Sequence, residues 1–177
     1  MTFIKLLIIL LMFVFNNVNQ AHSARELDSV YKHWSVYSVK GSKKICFIVS
    51  TPTKQVGNYR KRGQPFLIVT HIKKNVGEVS ISSGYPYKTG SEVKVTLKGS
   101  SIKKSNKKYN LFTRGSRAWL YSSAKDVHSK DSEMIRQMKK GASLSIKGYS
   151  KLKSYSNDTY SLMGFTKAFR RMQKICK

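Results

Sequence analysis

From Trp34 onward, apolar and polar positions alternate with period two, the pattern of strands that bury one face. Trp34-Ser35-Val36 opens a strand that ends near Val39, and Lys40-Gly41-Ser42-Lys43 forms a turn. Ile45-Cys46-Phe47-Ile48-Val49 is a continuous apolar run. Its length and β-branched content predict a central strand buried on both faces. Pro65 to Thr70 is another strand, Lys73-Lys74-Asn75 turns the chain, and Val79 and Ile81 alternate with Ser80 and Ser82. Val93-Lys94-Val95-Thr96-Leu97-Lys98 is the cleanest case, with its apolar residues facing one way and Lys-Thr-Lys the other. Tyr109 to Thr113 and Ala118 to Tyr121 predict a hairpin around Arg114-Gly115-Ser116-Arg117. Leu144 to Lys147 and Thr159 to Met163 return to strand. Thr51 to Gly63, with Pro52 and Gly57, reads as a loop, and residues 24–32 read as a flexible polar lead-in.

The period changes twice. Ser123 to Asp126 loosely fits a capping box, and Asp131 to Lys140 reads as a helix with Ile135 and Met138 inward and Gly141 as its stop signal. At the end of the chain, Phe165, Ala168, Phe169, Met172, Ile175 and Cys176 share one helical face, while Lys167, Arg170, Arg171, Lys174 and Lys177 occupy the other. The predicted architecture is one mainly β domain, a β-sandwich or barrel, with two short α-helices, the last at the C-terminus.

The first residues carry a different pattern. Met1 to Lys5 has one positive side chain, Leu6 to Phe15 is an uncharged apolar run, and Ala21-His22-Ser23-Ala24 supplies small residues. These are the parts of a secretory signal peptide, cut after Ser23. The apolar run has about ten residues, against about 20 for a spanning helix. Export leaves roughly 150 residues, enough for one domain with a real core. The predicted organisation is a leader over 1–23, the lead-in over 24–32 and the β domain over 33–177, in the periplasm or outside the cell.

Export changes the meaning of the two cysteines, Cys46 and Cys176. An even count in an oxidising compartment points to a disulfide. Cys176 lies on the apolar side of the last helix, from which it can reach a core strand. Two cysteines without a nearby His cluster make a poor zinc site, so no metal is expected.

The chain has 34 Lys+Arg against 8 Asp+Glu, a net charge of +26. Such a field attracts polyanions and anionic membranes and says nothing about fold. Two origins stand for it. Drift in an AT-rich genome, visible as abundant Lys, Asn, Ile and Ser, can make a whole surface basic; selection can do so for binding. The lysines are spread widely, with a cluster at Lys103, Lys104, Lys107 and Lys108. That cluster and the basic helix face of Lys167, Arg170, Arg171 and Lys174 are the candidate binding residues, for an anionic membrane, a glycan or an acidic protein surface. Tyrosines interleave with the basic residues as on a stacking surface, but an exported protein meets little nucleic acid, and no specific nucleic acid is expected.

Catalysis leaves no local trace. No two acids sit at a spacing that indicates acid/base work, and no His-x-x-x-His, Cys-x-x-Cys, phosphate-cradling Gly loop or Gly-x-Ser-x-Gly elbow occurs. The expectation is a protein that is not an enzyme and carries no cofactor. A catalytic site would need His71 or His128 beside an acid in a concave pocket.

Six segments taken in order carry a resemblance. They are Trp34-Ser35-Val36, Lys44-Ile45-Cys46-Phe47, Phe66-Leu67-Ile68-Val69-Thr70, Gly84-Tyr85-Pro86-Tyr87-Lys88, Phe112 to Trp119, and Asp158-Thr159-Tyr160-Ser161-Leu162-Met163-Gly164-Phe165. Together they resemble the invasion-associated locus B family from Trp34 to Cys176. The resemblance implies an exported protein of the alphaproteobacterial type, named for a locus that promotes entry into host cells. It also implies a β-sandwich-like domain and a non-enzymatic role. The Lys-rich loop 103–108 is more basic than that pattern. The expected function is an exported envelope or host-interaction factor that binds anionic surfaces through a basic face. The alternative is a periplasmic structural or stress protein whose charge is drift.

Overall fold

The computed structural model describes residues 25–99, 107–120 and 128–176. The leader, the capping box over 123–126 and the lysines at 103 and 104 lie outside the described residues. The strands are β1 (Arg25–Tyr31), β2 (Trp34–Val39), β3 (Ile45–Ser50), β4 (Lys54–Gly57), β5 (Phe66–Lys73), β6 (Val76–Ser82), β7 (Glu92–Lys98), β8 (Lys107–Arg114), β9 (Arg117–Leu120), β10 (Ser143–Tyr149) and β11 (Tyr155–Ser161). The helices are α1 (Ser129–Met138) and α2 (Phe165–Ile175). Every strand pair is antiparallel, in one sheet of order β1-β2-β3-β5-β6-β9-β8-β7-β10-β11-β4.

Period-two alternation puts Val36, Ile48, Val69, Val79, Val95, Leu111 and Ile146 on the buried face, together with Trp34 and Tyr160. The expected strands appear, except that the last spans Tyr155–Ser161 rather than Thr159 to Met163, and the hairpin forms around Gly115. Gly115 has φ 60°, and Arg114 pairs with Arg117 across it. A glycine at the first of two turn residues is a pattern that the twist of a hairpin favours.

The sheet rolls until its ends meet. β3 runs straight into β4, which pairs with β11 at the far end of the strand order. Trp34 Nε1 donates to the Ser161 carbonyl at 3.0 Å, which brings the start of β2 to the end of β11. α2 then packs on β1, β2 and β3, burying Phe165, Ala168, Phe169 and Met172. Trp34 meets Phe165 edge-on at 4.9 Å. Cys46 of β3 and Cys176 at the end of α2 form a disulfide with Cα atoms 5.8 Å apart.

α1 lies against β6. Among the described residues β6 pairs with β9 at Ser80 and Ile81, and the N–H of the preceding residue, Val79, donates to Asp131 Oδ1 of the helix at 2.9 Å. Burial raises the Asp131 carboxyl, while the Val79 N–H and His128 pull it back. The carboxylate takes the place of a strand partner, which an unpaired buried amide requires.

A second buried acid holds the roll together. Asp158, on the inner face of β11, takes a two-point contact from Arg62, Nη2 to Oδ1 at 2.6 Å and Nη1 to Oδ2 at 2.7 Å. The side chains are 3% and 1% exposed. Arg62 also donates to the Ser83 carbonyl at 2.9 Å and to Gln55 Oε1 at 2.7 Å, and lies 4.1 Å from the Tyr59 ring centre.

Four further expectations differ from the structure. Within the expected lead-in over 24–32, Arg25–Tyr31 is β1, hydrogen-bonded along β2, so the domain begins before residue 33. As an edge strand it is mostly exposed, and it lacks the apolar alternation that marks a half-buried one. Within the loop 51–63, Lys54–Gly57 is β4, an edge strand exposed throughout. β3 is buried on one face only; Phe47 on its other face stacks on Tyr37 at 5.4 Å. Gly141 follows α1 without a left-handed φ; a side chain there would run into Leu162, so the position needs a glycine for space.

Removing Arg62 would leave Asp158 buried without its partner. Arg62→Ala is expected to lower unfolding stability by about 3 kcal/mol or more, the cost of stranding one member of a buried ion pair. Urea denaturation followed by tryptophan fluorescence checks this; a loss indistinguishable from that of Lys61→Ala, an exposed neighbour, would show the pair to be dispensable.

Candidate anion-binding surfaces

α2 is amphipathic, and the disulfide fixes its orientation. With Phe165, Phe169 and Met172 buried, Lys167, Arg170 and Lys174 point to solvent. No acid occurs anywhere on the helix, whose sequence is Phe165-Thr166-Lys167-Ala168-Phe169-Arg170-Arg171-Met172-Gln173-Lys174-Ile175. Lys44 Nζ donates to the Ile175 carbonyl at 2.8 Å, placing a cation on the negative end of the helix dipole.

Arg171, also expected on this face, is engaged elsewhere. Its Nε and Nη2 donate to Asp28 Oδ2 and Oδ1 at 2.7 and 2.6 Å, tying α2 to β1. This hydrogen bonding, above all, holds the Asp28 carboxyl down at about 2, despite some desolvation. A residue that the helical pattern misses joins the face: Lys139, just after α1, sits with Nζ 4.3 Å from the Phe169 ring centre. Burial and the nearby Arg170 push its ammonium pKa down. Only the tertiary contact between the helices brings Lys139 there.

The second expected cluster divides. Lys103 and Lys104 lie outside the described residues, and Lys107 belongs to β8 with its side chain also outside them. Lys108 is exposed on the outer face of the sheet, pairing with Thr96 of β7. Lys94 and Lys147 share this face and pair with each other across β7 and β10. These lysines line a cavity of about 850 Å³ that also takes in Lys130 and Glu133 of α1. Tyr109 lines it too; burial, then the Glu133 charge, pushes its phenol up to about 12. The outward Lys-Thr-Lys face of β7 is legible in the sequence. That Lys94 stands opposite Lys147 is a matter of register between distant strands.

His71 and His128, the two histidines considered for a catalytic site, have different surroundings. His128 Nδ1 is 3.3 Å from Asp131 Oδ2, but the other oxygen of that carboxylate anchors α1 to Val79. His71 lines a cavity of about 560 Å³ with Lys74, Asn75, Gln173, Lys174 and Cys176, a set without an acid. Among the described residues, no three His, Cys, Asp or Glu side chains gather as metal ligands, and no helix is long and apolar enough to cross a membrane.

These features define a class: a rolled antiparallel β domain with a cationic C-terminal helix stapled to its sheet by a disulfide. A family model described as Invasion associated locus B (IalB) protein matches residues 34–173, and the chain belongs to that family. The family is typically exported, and the disulfide fits a compartment other than the cytoplasm. No curated protein and no solved structure matches the chain.

The Asp28–Arg171 contact makes a pH-dependent prediction. A carboxylate whose folded pKa is depressed stabilises the fold above its unfolded value, about 3.9, and loses that contribution as pH falls through the folded value. Asp28 should titrate near 2 in the native protein and return to about 4 in Arg171→Ala. NMR of the side-chain carboxyl reads both; the same midpoint in the two proteins would show that Arg171 is not the cause.

Proposed function

We propose that the protein is an exported, non-enzymatic envelope or host-interaction factor that docks on anionic surfaces through the cationic face of α2. The observation that carries this reading is the fixed presentation of Lys167, Arg170 and Lys174. The disulfide and the buried aromatic face hold the helix to the sheet, so the cations need no ordering before they bind. Lys139 extends the face from the end of α1. Family membership supports an envelope or host-facing role. Export is supported by the leader pattern over 1–23 and by the disulfide.

One observation favours the alternative of a periplasmic structural or stress protein. Cations also cover the outer face of β7, β8 and β10, so positive charge is not confined to α2. Under drift, binding to anions is weak, indifferent to which face is altered, and erased by salt.

Fractionation of cells should recover the protein outside the cytoplasm with Ala24 at its N-terminus and both thiols blocked until reduction; a cytoplasmic protein retaining residue 1 would refute export. For binding, a basic residue near an anionic membrane contributes about 1 kcal/mol, so Lys167→Gln/Arg170→Gln/Lys174→Gln should weaken binding to phosphatidylglycerol vesicles about a hundredfold. Cosedimentation at physiological salt measures this, and equal binding by the variant would rule out the helix face.

A further inference from the structure

Like charges directly opposite one another on neighbouring strands destabilise a sheet. Lys94 and Lys147 are such a pair, both exposed. Their lateral neighbours are Asn110 on one side and Asn157 on the other, so this rung of the sheet holds no carboxylate to compensate them. The adjacent rung runs Lys108, Thr96, Ser145, Thr159 and Lys54, from β8 across β7, β10 and β11 to β4. It too is cationic and otherwise carries hydroxyls. Strands lie about 4.8 Å apart, so the rungs cross about 19 Å of sheet. Over β7, β8 and β10 they line the cavity of about 850 Å³, to which α1 adds Lys130 and Glu133. Among the described residues of β7, Glu92 is the preceding outward position and carries an acid.

We infer that this groove binds a linear anionic polysaccharide carrying carboxylate or sulfate groups. The inference rests on the reading that the protein meets anions outside the cytoplasm, and it adds a site and a ligand class. Lys94, Lys108 and Lys147 supply the attraction and charge-assisted hydrogen bonds. The amides and hydroxyls between them match the hydroxyls of sugar rings. Lys147 Nζ lies 5.6 Å from the ring centres of both Tyr149 and Tyr155, and these paired aromatics offer flat faces beside the cations. The two rungs form a band across several strands, which suits a chain better than a compact ion. A planar bilayer fits less well, because the lysines line a recess and Val56 is the single apolar residue on the two rungs. Export separates the protein from nucleic acid.

The test uses the full disulfide-bonded protein, with a heparin oligosaccharide as probe and a single-stranded oligothymidylate of equal charge as comparator, by calorimetry at physiological salt. Two basic residues beside an anionic surface together contribute about thirtyfold in affinity. Lys94→Gln/Lys147→Gln should show that loss for heparin, while Lys167→Gln/Arg170→Gln/Lys174→Gln stays within about twofold. Because it removes a like-charge pair, the groove variant should melt no lower than the parent protein, which separates lost binding from lost folding; Lys94→Ser/Lys147→Ser provides a second substitution with the same expectation. Unchanged heparin affinity in both groove variants, with loss in the helix variant, overturns the groove and leaves the anionic-surface reading standing. Failure of the parent protein to bind either probe or anionic vesicles overturns both. Tighter binding of the oligothymidylate through the same groove overturns the polysaccharide assignment.

Discussion

The roll of the sheet depends on a charge placed inside it. Asp158 points inward from β11, on the same face as Ser156 and Tyr160 and fully buried, where a carboxylate needs close compensation. Arg62 supplies that compensation and reaches three further parts of the chain through Gln55 on β4, the Ser83 carbonyl after β6 and the ring of Tyr59. A planar five-donor guanidinium can serve these partners at once; a lysine could not. The same region takes in Tyr85, whose hydroxyl meets Ser156 Oγ at 2.8 Å, and Tyr87, whose hydroxyl meets Ser83 Oγ at 2.8 Å. Burial raises both phenols, Tyr87 the more, so they remain neutral hydrogen-bonding groups. The segment Gly84 to Tyr87 therefore belongs to the closure, and Gly84 adopts φ 78° where a side chain would strike Gly63.

The closure and the cationic helix are coupled through β11. The chain leaves that strand at Ser161, whose carbonyl holds Trp34, and turns at Gly164 into α2. Gly164 has φ 95°, and a Cβ there would overlap the carbonyl of Tyr31. The turn thus presses on the β1–β2 connection, the disulfide pins the far end of the helix to β3, and Arg171 ties its middle to β1. Attachment at three points leaves the exposed face of α2 little freedom, which is why its lysines and Arg170 are a surface of defined shape.

Much of this was legible in the residues. Strands with one apolar face, such as Val93–Lys98, and the face of α2 follow from periodicity, and the disulfide followed from two cysteines, each placed on an apolar face. The edge strands β1 and β4 were not, because an exposed edge lacks the apolar alternation that periodicity detects. Nor was the Arg62–Asp158 pair: a lone Asp in the polar-looking run Ser154 to Ser161 gives no sign that its face is the buried one until the register with β10 is known. The candidate site divides likewise. Lys167, Arg170 and Lys174 were readable on one helix, whereas Lys139 and the Lys94–Lys147 pair arise from contacts between elements far apart in sequence.

The acids bear on the origin of the charge. Of the 8 Asp and Glu in the chain, Asp28, Asp131 and Asp158 are held in structural contacts with Arg171, the Val79 amide and Arg62. Drift toward lysine would remove surface acids and spare such constrained ones, so their survival alone decides nothing. Position on the sheet discriminates better. Drift constrained only by folding would disfavour a lysine directly across from a lysine, because that arrangement weakens the sheet. Keeping Lys94 against Lys147, with neutral amides to either side, is instead the arrangement a polyanion would repay on binding, since it converts an internal repulsion into an attraction to the ligand.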